Sequence, residues 1–119
     1  HCYSAQCFHT AKLIAERFNL SPDKWSVSFQ SRFGRDEWVK PDTEEHLARL
    51  AENGVKKVVV FCPAFVSDCL ETLEEIGIRA AEHFREHGGE ELELVSSLND
   101  HPAWVDSLTS IIRQELQLR

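Results

Sequence analysis

Residues 61–76, FCPAFVSDCLETLEEI, leave an apolar run through a proline and then crowd Asp68, Glu71, Glu74 and Glu75 onto one short stretch. Carboxylate oxygens suit hard and borderline divalent cations, and a positioned carboxylate also accepts protons. On a helix turning about 100° per residue, Asp68, Glu71 and Glu75 fall within an arc of about 60°. Leu73, Ile76, Ala80 and Phe84 fall on the opposite side, so the acids are expected to form a ridge pointing away from the core. Carboxylates spaced i, i+4 repel by roughly a few tenths of a kcal/mol, and no lysine is interleaved to relieve them. An amphipathic helix nevertheless has a charged outer face, and the macrodipole favours acids near its N-terminus. Spacing alone makes the ridge a candidate cation site and nothing more specific.

The elements that would position this ridge follow from two hydrophobic periods. Ala11, Ile14, Ala15 and Phe18 recur at helical spacing in YSAQCFHTAKLIAERF, predicting a helix over 3–18. WSVSFQS at 25–31 alternates apolar and polar residues and reads as a strand. RFGRDEWVKPDT at 32–43 has no period and reads as a loop. Asp42 or Thr43 then caps a helix that Gly54 ends, with Glu45 in the capping-box position relative to Asp42. KKVVVFCPAF at 56–65 is a continuous apolar run, the pattern of a strand buried on both faces of a parallel sheet. A long helix follows from 67 to about 87, stopped by Gly88 and Gly89. ELELVSSL at 91–98 is a weaker strand, and an amphipathic helix covers 101–116 with Pro102 in its first turn. Alternating helices and strands call for one α/β domain over 1–119, a three-layer αβα sandwich with a parallel sheet. Ligands of such sheets sit beyond the carboxyl ends of the strands. The loop after the first strand and the turn after the second fall there.

Composition narrows the partners. The net charge of -7 argues against nucleic acid, whose phosphates attract basic surfaces, and is compatible with a cationic ligand. No apolar run approaches the ~20 residues needed to span a bilayer. Cys2, Cys7, Cys62 and Cys69 show no CxxC pair and no zinc-type spacing, so they read as free thiols in a reducing compartment. The chain has no methionine and begins at His1, which reads as a segment of a longer protein.

Several motifs in order resemble the carboxyl-terminal half of the ferrochelatases. QSRFGRDEWVKPDT at 30–43 is similar to the family's QS[RK]xGxxxWLxPxT loop, and GVKKVVVFCPAFVSDCLETLEEI at 54–76 to its GxKxxxxxPxFxxDxxETLxEL segment. SSLN at 96–99, HPAWVDSL at 101–108 and YSAQCFHTAKLIAERFNL at 3–20 extend the likeness over nearly the whole chain. The resemblance implies a chelatase-like fold, one of two similar halves, with the N-terminal half absent from this chain. It implies an enzyme, a lyase of haem biosynthesis, that inserts ferrous iron into protoporphyrin IX. The isolated segment is expected to be inactive. The rival readings are a coproporphyrin or cobalt chelatase and a non-enzymatic tetrapyrrole-binding domain.

The same resemblance implies roles for residues. Glu71 matches the family's active-site glutamate, assigned to iron binding or proton handling, and Glu75 an acidic ridge that passes metal ions or protons. Trp38 matches the loop tryptophan beside the porphyrin, Tyr3 a tyrosine of the pocket, and Asp68 a residue that orients the site. Ser31, Arg32 and Gly34 complete the loop signature, with Ser31 among the substrate-binding positions. Where the family often carries a further acid one turn after Glu75, this chain has Arg79. The family's catalytic histidine lies in an S-[AS]-H-[SG]-[LI]-P motif that this chain lacks, and His9, His46, His83, His87 and His101 read as surface or structural residues. A glutamate walled by aromatic surface is expected to have a raised pKa. Ferrous iron enters as substrate, no further cofactor is implied, and no cysteine cluster supports an iron–sulfur centre. The implied location is the cytoplasm, with or without peripheral contact to a membrane.

Overall fold

In the computed structural model residues 2–31 and 37–117 are described. Helix α1 spans Tyr3–Arg17 and is followed by a 3-10 turn, Pro22–Lys24. Helix α2 spans Thr43–Glu52. Asp42 caps it by accepting from Glu44 N at 3.0 Å and Glu45 N at 3.2 Å. Gly54 closes it at φ +89°, a left-handed conformation that glycine adopts without strain.

Strand β1, Lys57–Val60, pairs in parallel with β2, Glu91–Leu94, in the register Val58 to Leu92 and Val60 to Leu94. The crossover between them carries α3 (Leu70–Leu73), a π-helical segment (Glu75–Ala80) and α4 (Ala81–Glu86). Helix α5, Pro102–Gln117, closes the chain. The α/β class and the parallel sheet agree with the sequence pattern.

The sheet is smaller than the alternation at 25–31 implies. That stretch forms no strand; Phe29 makes an isolated parallel bridge with Asp42. Its main chain bonds to the loop, Phe29 N to Pro41 O and Thr43 N to Phe29 O, and its ring packs between Tyr3 and Phe8 of α1. Nor is β1 buried on both faces. Val58 and Val60 turn inward, whereas Val59 is 67 % exposed. Helices of this chain cover one face of the sheet; on the other, Lys57 reaches across to Glu91 at 2.6 Å.

The long helix expected over 67–87 is divided. α-Helical bonding runs to Glu74 N–Leu70 O, and at Arg79 N–Glu74 O the turns widen to i, i+5. The inward positions are therefore Thr72, Ile76, Ala80 and Phe84, all essentially buried, and Leu73 is 54 % exposed. A spacing of four drifts by about 40° per step on a regular α-helix; the wide turns absorb that drift. Thr72 thus takes the place expected for Leu73. Gly77 lies where β2 comes close, with an added Cβ falling 3.3 Å from Leu94 Cδ2. The core joins Leu47 and Ala51 of α2 to Cys62, Ile76, Ala80 and Phe84. Full burial of each large apolar side chain contributes about 1.5–3 kcal/mol.

Candidate functional site

Beyond the carboxyl end of β1 the chain passes through 61–69 into α3, which presents Glu71 in its first turn. The start of this helix is pinned by Asp68. Its Oδ1 accepts from Ser97 N and the Thr72 hydroxyl, both at 3.1 Å, and its Oδ2 accepts from Asn99 Nδ2 at 2.8 Å. Asn99 completes the ring by accepting from Asp68 N at 2.9 Å. Asn99 and the Ser97 N–H hold the Asp68 carboxyl below the usual aspartate range. Asp68 therefore precedes the helix instead of joining its acidic ridge, and its oxygens are turned inward to the 97–99 segment.

Glu71 is half-buried. The adjacent Cys69 thiol and the residue's own main-chain N–H hold its carboxyl below the ordinary glutamate range. This reverses the raised pKa expected from an aromatic wall, because here hydrogen bonding to the charged form outweighs desolvation. Both contacts favour the ionised form of Glu71.

Gln30 ties Glu71 to the loop. Its Nε2 donates to the Glu71 carbonyl at 2.6 Å and its Oε1 accepts from Cys62 Sγ at 3.4 Å. Its main-chain carbonyl accepts the Trp38 indole N–H at 3.1 Å. In the sequence Gln30 carries no signal beyond its place beside Ser31 at the start of the loop motif. Burial raises the Cys62 thiol to about 11, so it stays protonated and able to donate.

Ser31 adopts a left-handed conformation, φ 61°, uncommon for a residue with a Cβ. Its hydroxyl meets Glu75 Oε2 at 3.3 Å. Arg79 reaches Glu74 Oε1 at 2.9 Å and Glu75 Oε1 at 3.5 Å. The ridge lacks a lysine but not a cation: Arg79, one turn after Glu75, relieves its repulsion. Between loop and ridge lies a cleft of about 330 Å³, lined by Gln30, Ser31, Asp42, Glu44, Glu75 and Arg79. A second hollow of about 180 Å³ borders Trp38, Val39 and Glu45. Glu71 lines neither among the described residues.

Tyr3 is exposed at the start of α1 and stacks obliquely near Phe29, with ring centroids 6.3 Å apart. The Cys7 thiol beside it raises its hydroxyl pKa. Arg32 and Gly34 lie outside the described residues. His46 bonds Ser26 Oγ at 2.8 Å, His87 contacts the His83 carbonyl at 2.8 Å, and His101 Nδ1 accepts from Ala103 N at 3.3 Å. Among the described residues no three His, Cys, Asp or Glu side chains come together as a metal site. Glu71 and Glu75, the expected metal ligands, therefore form no closed ligand set with a third such side chain here.

The family model for ferrochelatase matches residues 1–116. A ferrochelatase from Pseudomonas fluorescens (strain Pf0-1) is 61% identical over 110 residues, 92% of this chain and 32% of its own length. One from Ectopseudomonas mendocina (strain ymp) is 62% identical over 107 residues, 90% of this chain and 32% of its own. One from Coxiella burnetii (strain Dugway 5J108-111) is 50% identical over 118 residues, 99% of this chain and 33% of its own. The chain thus spans about a third of the length of these relatives.

Proposed function

The chain belongs to the ferrochelatase family, and from that premise we propose that the protein containing it inserts ferrous iron into protoporphyrin IX to form protohaem. The observation that carries the proposal is the link from Trp38 through Gln30 to the Glu71 main-chain carbonyl, which ties a flat aromatic surface to the helix turn that bears the Glu71 carboxylate.

Metal insertion releases two pyrrole protons as the dication enters the ring. An ionised Glu71 is suited to accept a proton or to hold the entering metal on one face. The opposite face needs a second group, which the family supplies from a histidine motif that this chain does not contain. Trp38, Ser31 and Tyr3 are assigned to the porphyrin side. Asp68 is assigned to fixing α3, since its oxygens are committed to Ser97, Thr72 and Asn99. Glu75 is assigned to the outer approach, where Arg79 competes with any cation for its carboxylate. Iron is a substrate in this reading, and no resident cofactor or iron–sulfur cluster is assigned. Among the described residues no helix is long and apolar enough to cross a membrane; the proposed location is the cytoplasm, free or at a membrane surface.

The test is Glu71→Ala in the full-length protein, with metalloporphyrin formation followed by the Soret band for Fe(II) and Co(II). A positioned proton acceptor contributes about 10²–10⁴-fold. The expected result is a loss of that order in kcat for iron with porphyrin binding retained. Near-normal haem formation would remove Glu71 from the mechanism, and a strong preference for cobalt would reassign the metal.

A further inference from the structure

Gln30 makes three connections from one residue. Its side-chain amide spans from the Cys62 thiol, just past the end of β1, to the Glu71 carbonyl on α3. Its main-chain carbonyl holds the Trp38 indole. The carbonyl it meets lies between the last α-helical bond into α3, Glu74 N–Leu70 O, and the first wide one, Arg79 N–Glu74 O. At a change of helical pitch the regular ladder cannot serve every carbonyl, and a side-chain donor there fixes the local geometry. The two side-chain bonds of Gln30 are partly buried and so shielded from competing water, whereas the Trp38 bond lies at the surface.

We propose that Gln30 is the positioning residue of the site, holding the Trp38 surface and the Glu71 helix at one fixed separation against the end of β1. Its amide touches no reacting atom; it acts through the Glu71 main chain and the Trp38 ring. The inference rests on the metal-insertion reading, because a fixed separation matters where a planar ring must enter between an aromatic surface and a carboxylate. Removing the amide leaves both groups present and lets their spacing relax. The chemical step depends on that spacing more steeply than binding does, since misplacement of about 1 Å can cost about 10²-fold in rate.

The experiment uses the full-length protein with Gln30→Met, which keeps side-chain length and removes donor and acceptor. Gln30→Glu is the second variant, retaining the acceptor for Cys62 and losing the donor to Glu71. Expected for both is at least a tenfold fall in kcat per folded molecule, with the porphyrin dissociation constant within threefold of wild type. The Trp38 indole N–H resonance in a ¹H–¹⁵N spectrum is expected to move in Gln30→Met, although its acceptor, a main-chain carbonyl, is still there. A merely stabilising residue would lower the melting temperature without moving kcat per folded molecule. Values of kcat within twofold of wild type in both variants, or an unmoved indole signal, would overturn the proposal. If the wild-type protein inserts no metal, the function proposed above fails, and the indole signal alone still decides whether Gln30 couples the two groups.

Discussion

Between Thr43 and Leu94, α2 and the α3–α4 crossover bury Leu47, Ala51, Ile76, Ala80 and Phe84 around one side of the β1–β2 pair. Helix α5 carries an apolar stripe of Val105, Leu108, Ile111, Ile112 and Leu116, and buries none of its residues. Helix α1 buries only Ala15. The radius of gyration is 16.3 Å, against about 13.5 Å for a compact chain of this length. The contrast shows that amphipathic pattern specifies which face a helix would bury, not that its partner lies in the same 119 residues.

The sharpest way to break the contrast is Phe84→Ala. Phe84 is 0 % exposed in the core cluster, and emptying such a site costs about 3–5 kcal/mol. Urea unfolding of the 119-residue chain should register most of that loss, and a cost under about 1 kcal/mol would mean that the core is not packed as described.

A smaller effect is expected at the hinge into α3. The folded pKa of Asp68 is depressed below 3.8. Its contribution is therefore present above that value and lost as pH falls through the lowered folded pKa. Asp68→Asn should flatten the acid limb of the stability–pH curve below about pH 4. A curve identical to wild type would mean that the Ser97 and Asn99 bonds are not formed in solution.

The smallest effect is expected from Ile111→Lys on α5. Ile111 is 53 % exposed, so stability of this chain should change by no more than about 0.5 kcal/mol. A loss above about 1 kcal/mol would show that α5 packs within the chain, and the two regions would no longer differ.

Local chemistry was legible wherever one segment decides its own structure. Asp42 as cap and Gly54 as stop fix α2, and the inward set Ile76, Ala80 and Phe84 follows from helical spacing. Period alone misled at 25–31, where Val27 and Phe29 alternate like a strand but Phe29 bonds to Pro41 of the loop and to Thr43 at the start of α2. It misled again at Leu73, because a change of pitch after Glu74 is invisible to a fixed 100° wheel. Of the candidate site, Glu71, Trp38 and Ser31 were found through the motifs that carry the family resemblance. Gln30 was missed because a neutral amide has no spacing signature; its partners lie 8, 32 and 41 residues away.

By itself the sequence determined the α/β class, the order of most elements, and the family to which its motifs belong, since these rest on local periods, caps and residue identity. Only the tertiary structure decided that Asp68 turns to Ser97 and Asn99, that Ser31 meets Glu75, and that Gln30 ties Trp38 to the helix bearing Glu71. Hydrogen bonds and charges act through distances in space, and those distances exist only once the chain has folded.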